Sequence, residues 1–106
     1  MLLEHVGRKS GQRRTSPLIY TRDGDDVLLI ASNGGDPRHP AWFHNLTAAG
    51  TARVQVGHES WDVTVSVAEE PERAELWQKM VAAYPPYDEY QQRTERQIPL
   101  LVLSRR

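Results

Sequence analysis

Residues 32–46, SNGGDPRHPAWFHNL, set two glycines, two prolines, two histidines and an adjacent pair of aromatics within fifteen positions. Glycine-backed amides at the end of a strand let a flat ligand come close to the main chain. Trp42 and Phe43 offer ring surface for such a ligand; the competing reading of the same pair is core packing on a short helix. His39 and His44 are the wrong pattern for a metal. Their i, i+5 spacing sets them on different helical faces and no carboxylate stands at ligand spacing, so no metal site is expected.

Two more segments carry chemistry. GRKSGQRR, 7–14, puts arginines, which bind oxyanions bidentately, and a lysine point charge on a turn whose successive N–H groups form an anion nest. It is not a phosphate-binding loop of the GxxxxGK[ST] kind, whose spacing it fails. YPPYDEY, 84–90, spaces Tyr84, Tyr87 and Tyr90 three apart on a proline-stiffened stretch. Their phenols can wall a cavity and donate to a carbonyl or nitro oxygen, or simply cover one end of the domain with their hydroxyls in water. No Ser-His-Asp or Cys-His order is present.

The elements that must position these groups follow from pattern. Leu2–Val6 reads as a strand, Thr15–Thr21 as a second with Pro17 marking an edge or bulge, and Asp23-Gly24 as a type I′ hairpin signal. Residues 27–32, VLLIAS, form an unbroken apolar run, as in a strand covered on both faces. Pro40–Ala49 reads as a helix with Pro40 at its first position and Gly50 as its stop. Thr51–Val56 and Glu59–Ala68 make a hairpin around Gly57-His58, a II′ pattern. Pro71 opens a helix with Ala74, Trp77, Met80, Val81 and Tyr84 on one stripe. Tyr87–Thr94 is a short helical piece, and Ile98–Leu103 is a closing strand that Pro99 assigns to an edge or bulge. Six strands in antiparallel hairpins with few helices describe a small α+β barrel.

Composition narrows the function classes. The 106 residues suit one domain, 1–106, and the absence of cysteine excludes disulfides, iron–sulfur clusters and thiolate zinc sites. No run approaches the roughly 20 apolar residues of a membrane span, and no signal peptide is read, so a cytoplasmic protein is expected. Net charge is −1, yet Met1–Arg22 holds five of the 13 cations and one of the 14 anions. That is a local anion-binding feature, or a solvated basic hairpin, rather than a nucleic-acid surface.

On these residues the chain resembles the deazaflavin-dependent nitroreductases, the A-type reductases of actinobacteria that use coenzyme F(420). The matching stretches are 7–18, 22–46, 84–94 and 98–103, in the family's order and over nearly the whole chain. The resemblance implies a split β-barrel, α+β and mainly antiparallel, related to the flavin-mononucleotide oxidase barrels. It implies an 8-hydroxy-5-deazaflavin cofactor with a phosphorylated, polyglutamate-bearing arm, flavin mononucleotide being the less favoured ligand. Arg8, Lys9 and Arg14 match the contacts to the anionic arm, with Ser10, Thr15, Ser16, Pro17, Leu18 and Ile19 on the matching backbone. Ile30, Ala31, Ser32 and Asn33 match the strand end beneath the ring. Ala41, Trp42, Phe43, His44 and Asn45 match the helix that closes on the cofactor. Tyr84, Tyr87 and Tyr90 match the substrate-side tyrosines, Tyr87 lying beside the ring, and Ser32 matches a residue that assists hydride transfer.

The implied reaction is hydride transfer to a quinone-like, nitroaromatic or enone acceptor; a non-catalytic storage barrel for deazaflavin, flavin or haem is the alternative. A homodimer is compatible, nucleic acid is not an expected partner, and no stable membrane insertion is expected beyond a loose association. Ile19 stands where the best-known nitroreductase relative has a tyrosine, and the sequence opens at its first strand without the N-terminal helix of longer relatives. Both departures bear on the acceptor more than on the cofactor.

Overall fold

The computed structural model describes residues Met1–Arg106. Seven strands, β1 (Leu2–Val6), β2 (Arg13–Pro17), β3 (Thr21–Asp23), β4 (Asp26–Ile30), β5 (Thr51–Val56), β6 (Glu59–Val67) and β7 (Leu100–Arg105), form one sheet in the order β2-β1-β5-β6-β7-β4-β3. Every neighbouring pair is antiparallel. Three helices, α1 (Ala41–Ala49), α2 (Glu72–Ala83) and α3 (Pro86–Gln92), and a 3-10 turn at Asn33–Gly35 complete it.

The seventh strand arises because the expected strand Thr15–Thr21 is divided. Pro17 ends β2 on one edge of the sheet and Thr21 begins β3 on the opposite edge. Seven strands laid flat would span about 29 Å between their outer members. The four steps from Pro17 to Thr21 reach at most about 14 Å. The sheet must therefore curl until its edges nearly meet, and residues 18–20 strap the gap. Leu18 anchors the strap, its N–H donating to the Met1 carbonyl at 2.9 Å.

The core lies in two layers, one on each face of the curled sheet. Val27, Leu29 and Ala31 join Leu3, Val54, Trp61, Val63, Leu101 and Leu103 in one, closed by Leu46 of α1. Leu28 and Ile30 turn the other way, onto Leu76, Trp77 and Met80 of α2, Tyr87 of α3, and Ile98, Leu100 and Val102. So β4 is covered on both faces, as its apolar run requires. Along β6 the inward face fades: Trp61 and Val63 are buried, Val65 partly, and Val67 is exposed.

Several local expectations are corrected. The 24–25 turn carries a positive φ at Gly24 and not at Asp25, the II′ signature rather than I′; Gly57-His58 does the same, as expected. Pro40 is the N-cap of α1, not its first residue, while Gly50 does close it at φ +73°. On α2 the buried stripe is Leu76, Trp77 and Met80, and Ala74 is exposed. The helix is rotated because Arg73 takes the inner position: its guanidinium lies 4.7 Å from the Trp77 ring and donates to the Ile98 carbonyl at 2.6 Å. β7 starts at Leu100 and sits inside the sheet rather than on an edge. Pro99 precedes it, so its missing N–H costs no ladder bond, and its carbonyl still accepts the Ala31 N–H at 2.9 Å. No helix is long and apolar enough to cross a membrane.

Candidate functional site

The basic loop folds back on itself between β1 and β2. Gly7 N–H donates to the Gln12 carbonyl at 2.9 Å and Gly11 N–H to the Gly7 carbonyl at 2.8 Å. The alternation of β2 then aims Arg14 and Ser16 to one face and Thr15 to the other. Together with Ala41, Trp42, His44 and Asn45 of α1, the loop residues Arg8, Lys9 and Ser10 and the strand residues Arg14 and Ser16 enclose a cleft of about 430 Å³. Its walls hold three cations and no carboxylate. It is built for an anion.

A buried polar chain backs this cleft. Arg8 N–H donates to Asn45 Oδ1 at 3.0 Å, Asn45 Nδ2 lies 3.0 Å from His5 Nδ1, and His5 Nε2 lies 3.0 Å from Ser16 Oγ. His5 and Asn45 are each only 6% exposed, so the bond between them is buried, while those to Arg8 and Ser16 are partly buried. Burial, and secondarily the Arg14 charge, lowers the His5 pKa below its usual value.

A second cleft, of about 350 Å³, opens on the other side of Trp42, which lines both. The end of β2 contributes Pro17, the strap Leu18 and Ile19, the end of β4 Leu29 and Ile30, the following turn Ser32, Asn33 and Gly34, and the helical segment Tyr84, Tyr87 and Tyr90. The three tyrosine rings stand 4.9 to 6.4 Å apart, and the Tyr84 and Tyr90 hydroxyls are 3.4 Å from one another. That contact raises the Tyr84 pKa. Tyr87 is buried in the core as well as facing the cleft; burial, with its two tyrosine neighbours, pushes its phenol up to about 12. It keeps its proton under any ordinary condition.

Arg96 holds this cleft together. Its guanidinium donates to the carbonyls of Ala31 (3.1 Å), Ser32 (2.8 Å) and Asp36 (2.9 Å) and to His39 Nδ1 (3.0 Å). Gln91 of α3 fixes Arg96 in turn, donating to its carbonyl at 2.8 Å and accepting the Ile98 N–H at 2.9 Å. Trp77 Nε1 donates to Asp88 at 2.9 Å and so ties α3 to α2. The two glycines of the turn do different work. Gly34 (φ +65°) faces the cleft with open space around it, whereas a Cβ on Gly35 (φ +84°) would come 2.9 Å from the Tyr90 carbonyl. Gly35 exists for α3 to pack, not for a ligand to approach.

Of the residues expected at the site, Ser10, Ser16, Ala41, His44, Asn45 and the three cations line the first cleft. Pro17, Leu18, Ile19, Ile30, Ser32, Asn33 and the tyrosines line the second. Three line neither: Thr15 faces away, Ala31 is sealed in the core, and Phe43 packs on the core and on His39, with ring centroids 4.6 Å apart. The aromatic pair thus divides, Trp42 to the clefts and Phe43 to packing. His39 lies just before α1 rather than on it, so its ring reaches His44 edge-on at 5.6 Å despite the i, i+5 spacing. His5 and Arg96 escape the sequence reading. His5 did leave a signal, since alternation sets it on the face of buried Leu3; Arg96 left none nearby.

A curled sheet with a cationic cleft and an aromatic cleft that share one indole wall suits an elongated ligand with an anionic end and a flat ring. Residues 1–105 match the family described as F420H(2)-dependent quinone reductase. An F420H(2)-dependent quinone reductase of Mycobacterium tuberculosis is 44% identical over 109 residues, covering all of this chain and 73% of its own. The solved structure of an F420-H2 Dependent Reductase (FDR-A) superposes with a TM-score of 0.89 at 40% identity, over 97% of this chain and 91% of that one. A further solved chain, described as a domain-swapped dimer, gives 0.90 at 40% identity over 97% and 78%. HutZ, a haem storage protein from Vibrio cholerae, gives 0.72 at 15% identity over 99% and 80%, a likeness of fold alone. The chain belongs to the F420H(2)-dependent quinone reductase family, whose members are oxidoreductases using coenzyme F(420).

The residues present fit that coenzyme. A cleft with three cations and no anion suits the charged arm, and a second cleft with apolar walls and an open glycine suits the ring.

Proposed function

We propose that the protein reduces a quinone-type acceptor, with nitroaromatics and enones as further acceptors, at the cleft between Ser32 and the three tyrosines. The observation that carries this reading is the shared Trp42 wall, which lets one elongated molecule place an anionic arm on Arg8, Lys9 and Arg14 and a ring beside Ser32. When bound and reduced, the coenzyme supplies a hydride.

The chain's own residues do the rest. Arg8, Lys9 and Arg14 hold the arm by charge-assisted bonds. Trp42, Ile30 and Leu18 give the ring cleft apolar surface. Tyr87 keeps a proton at its hydroxyl, and the Tyr84–Tyr90 pair, with one hydroxyl hydrogen between its two oxygens, leaves the other free to donate. Donors fixed where an acceptor oxygen gains charge stabilise the transition state more than the ground state. Arg96 positions Ser32 by gripping its carbonyl.

Single-turnover oxidation of the bound, reduced coenzyme by menadione and by a nitroaromatic, in wild type and Tyr87→Phe, tests the assignment. Slower oxidation in the variant supports it. Equal rates would move the acceptor to the Trp42 side, and no oxidation by either compound in the wild type would leave a storage barrel. A homodimer also accords with the relative described as domain-swapped; light scattering on the purified chain reads its mass.

A further inference from the structure

The polar chain behind the cationic cleft has a direction, and that direction is set by a group that cannot change. The Arg8 main-chain N–H can only donate, so the oxygen end of the Asn45 amide must face it. The amide's NH2 end therefore faces His5 Nδ1, which must accept and carries no hydrogen. A neutral imidazole then bears its proton on Nε2, and Nε2 donates to Ser16 Oγ at 3.0 Å. With its oxygen already accepting from the ring, Ser16 has its own hydrogen left for the cleft. Were Nε2 bare instead, the hydroxyl would spend its hydrogen on the ring and could offer the cleft lone pairs alone.

We propose that His5 is a positioning residue that fixes the Ser16 hydroxyl as a hydrogen-bond donor to an anionic group of the ligand. The cleft thereby gains a neutral donor beside its three cations. It favours an oxyanion, which only accepts, over a group that must donate. This rests on the reading that the coenzyme's anionic arm occupies the cationic cleft. The tautomer itself does not.

Two measurements test it. Long-range proton–nitrogen correlation spectra of the 15N-histidine-labelled chain, without ligand at pH 7, should show His5 protonated at Nε2 and bare at Nδ1. An Nδ1–H ring or an imidazolium overturns the proposal whatever the variants do. Titration with coenzyme F(420) should then show His5→Phe weakening binding about tenfold, as leaving buried partners unpaired does. His5→Gln, whose amide can donate to Ser16 and accept from Asn45, should lose less than about threefold. In a Ser16→Ala background the added cost of His5→Phe should largely vanish, because the effect passes through that hydroxyl; fully additive losses overturn the proposal. If Lys9→Ala with Arg14→Ala weakens binding while His5→Phe does not, only the inference about His5 fails. If none of these variants alters binding, the arm lies elsewhere and the reading of the cleft fails with it.

Discussion

Arg96 donates to the carbonyl of Ser32 at 2.8 Å across 64 residues of sequence, joining the segment after α3 to the turn after β4. The same guanidinium takes three other acceptors on residues 31–39, so one side chain sets the distance between the tyrosine wall and Ser32.

Arg96→Gln should therefore cost stability and turnover together. Hydrogen bonds of a charged donor are worth about 1.5–3 kcal/mol each, with part recovered from water. A loss of about 2–4 kcal/mol, or roughly 10 °C or more in Tm, is expected by calorimetry. Lysine should rescue little, because a point charge cannot reach four acceptors in the fork geometry. A wild-type Tm in Arg96→Gln would mean that the turn is held from elsewhere.

Lys9→Ala with Arg14→Ala should raise the dissociation constant of coenzyme F(420) roughly tenfold or more per residue, with an unchanged circular dichroism spectrum. Added salt should weaken wild-type binding more than that of the variant, since the contacts are charged and Arg14 is exposed. Flavin mononucleotide, lacking the polyglutamate arm, should bind less tightly to the wild type; equal affinity would argue against the arm as the basis of selection.

Tyr87→Phe should lower kcat and leave the affinity for coenzyme nearly unchanged, the mark of an interaction made in the transition state. The activity profile should show no titration from this phenol in the neutral range, because burial pushes it up to about 12.

Acid should destabilise the fold through two histidines. Burial lowers the pKa of His5, aided by Arg14, and of His39, aided by Arg96 and His44. The unfolded chain then takes up protons first as pH falls past about 6.5, so the stability these groups contribute is present above that value and is lost below it. Urea melts between pH 7.5 and 5 should show midpoints falling from about pH 6.5 downwards, less steeply in His5→Gln. A flat midpoint over that range would show that neither ring is held neutral.

Gly35→Ala should be more damaging than Gly34→Ala. Both have positive φ, but only at Gly35 would the new methyl meet a main-chain oxygen, that of Tyr90. A loss of about 1–3 kcal/mol more at Gly35 is expected from chemical denaturation.

Periodicity recovered most strands because each buried face leaves a local mark. VLLIA, 27–31, is apolar throughout because α2 covers one side of β4 and the barrel interior the other. The break in Thr15–Thr21 left a weaker mark, one proline, since what divides it is closure of a sheet whose edges are distant in pairing order. The clefts were legible where a motif is contiguous, as in residues 7–14 and 84–90. Arg96 was not, since its four acceptors lie 57 to 65 residues away and its immediate neighbours point to nothing. Thr15, Ala31 and Phe43 show the converse: a contiguous motif also carries residues that strand alternation and helix rotation turn away from the cleft.

The strap at residues 18–20 gives the ring cleft a mechanical character that side-chain packing alone would not. Spanning the seam with three residues limits how far its edges can part, so contour length bounds the width of the mouth, much as a drawstring bounds the opening of a bag. Inserting a residue at Ile19, half exposed on that strap and lining the cleft, should widen its mouth without altering the cations, Ser32 or the tyrosines.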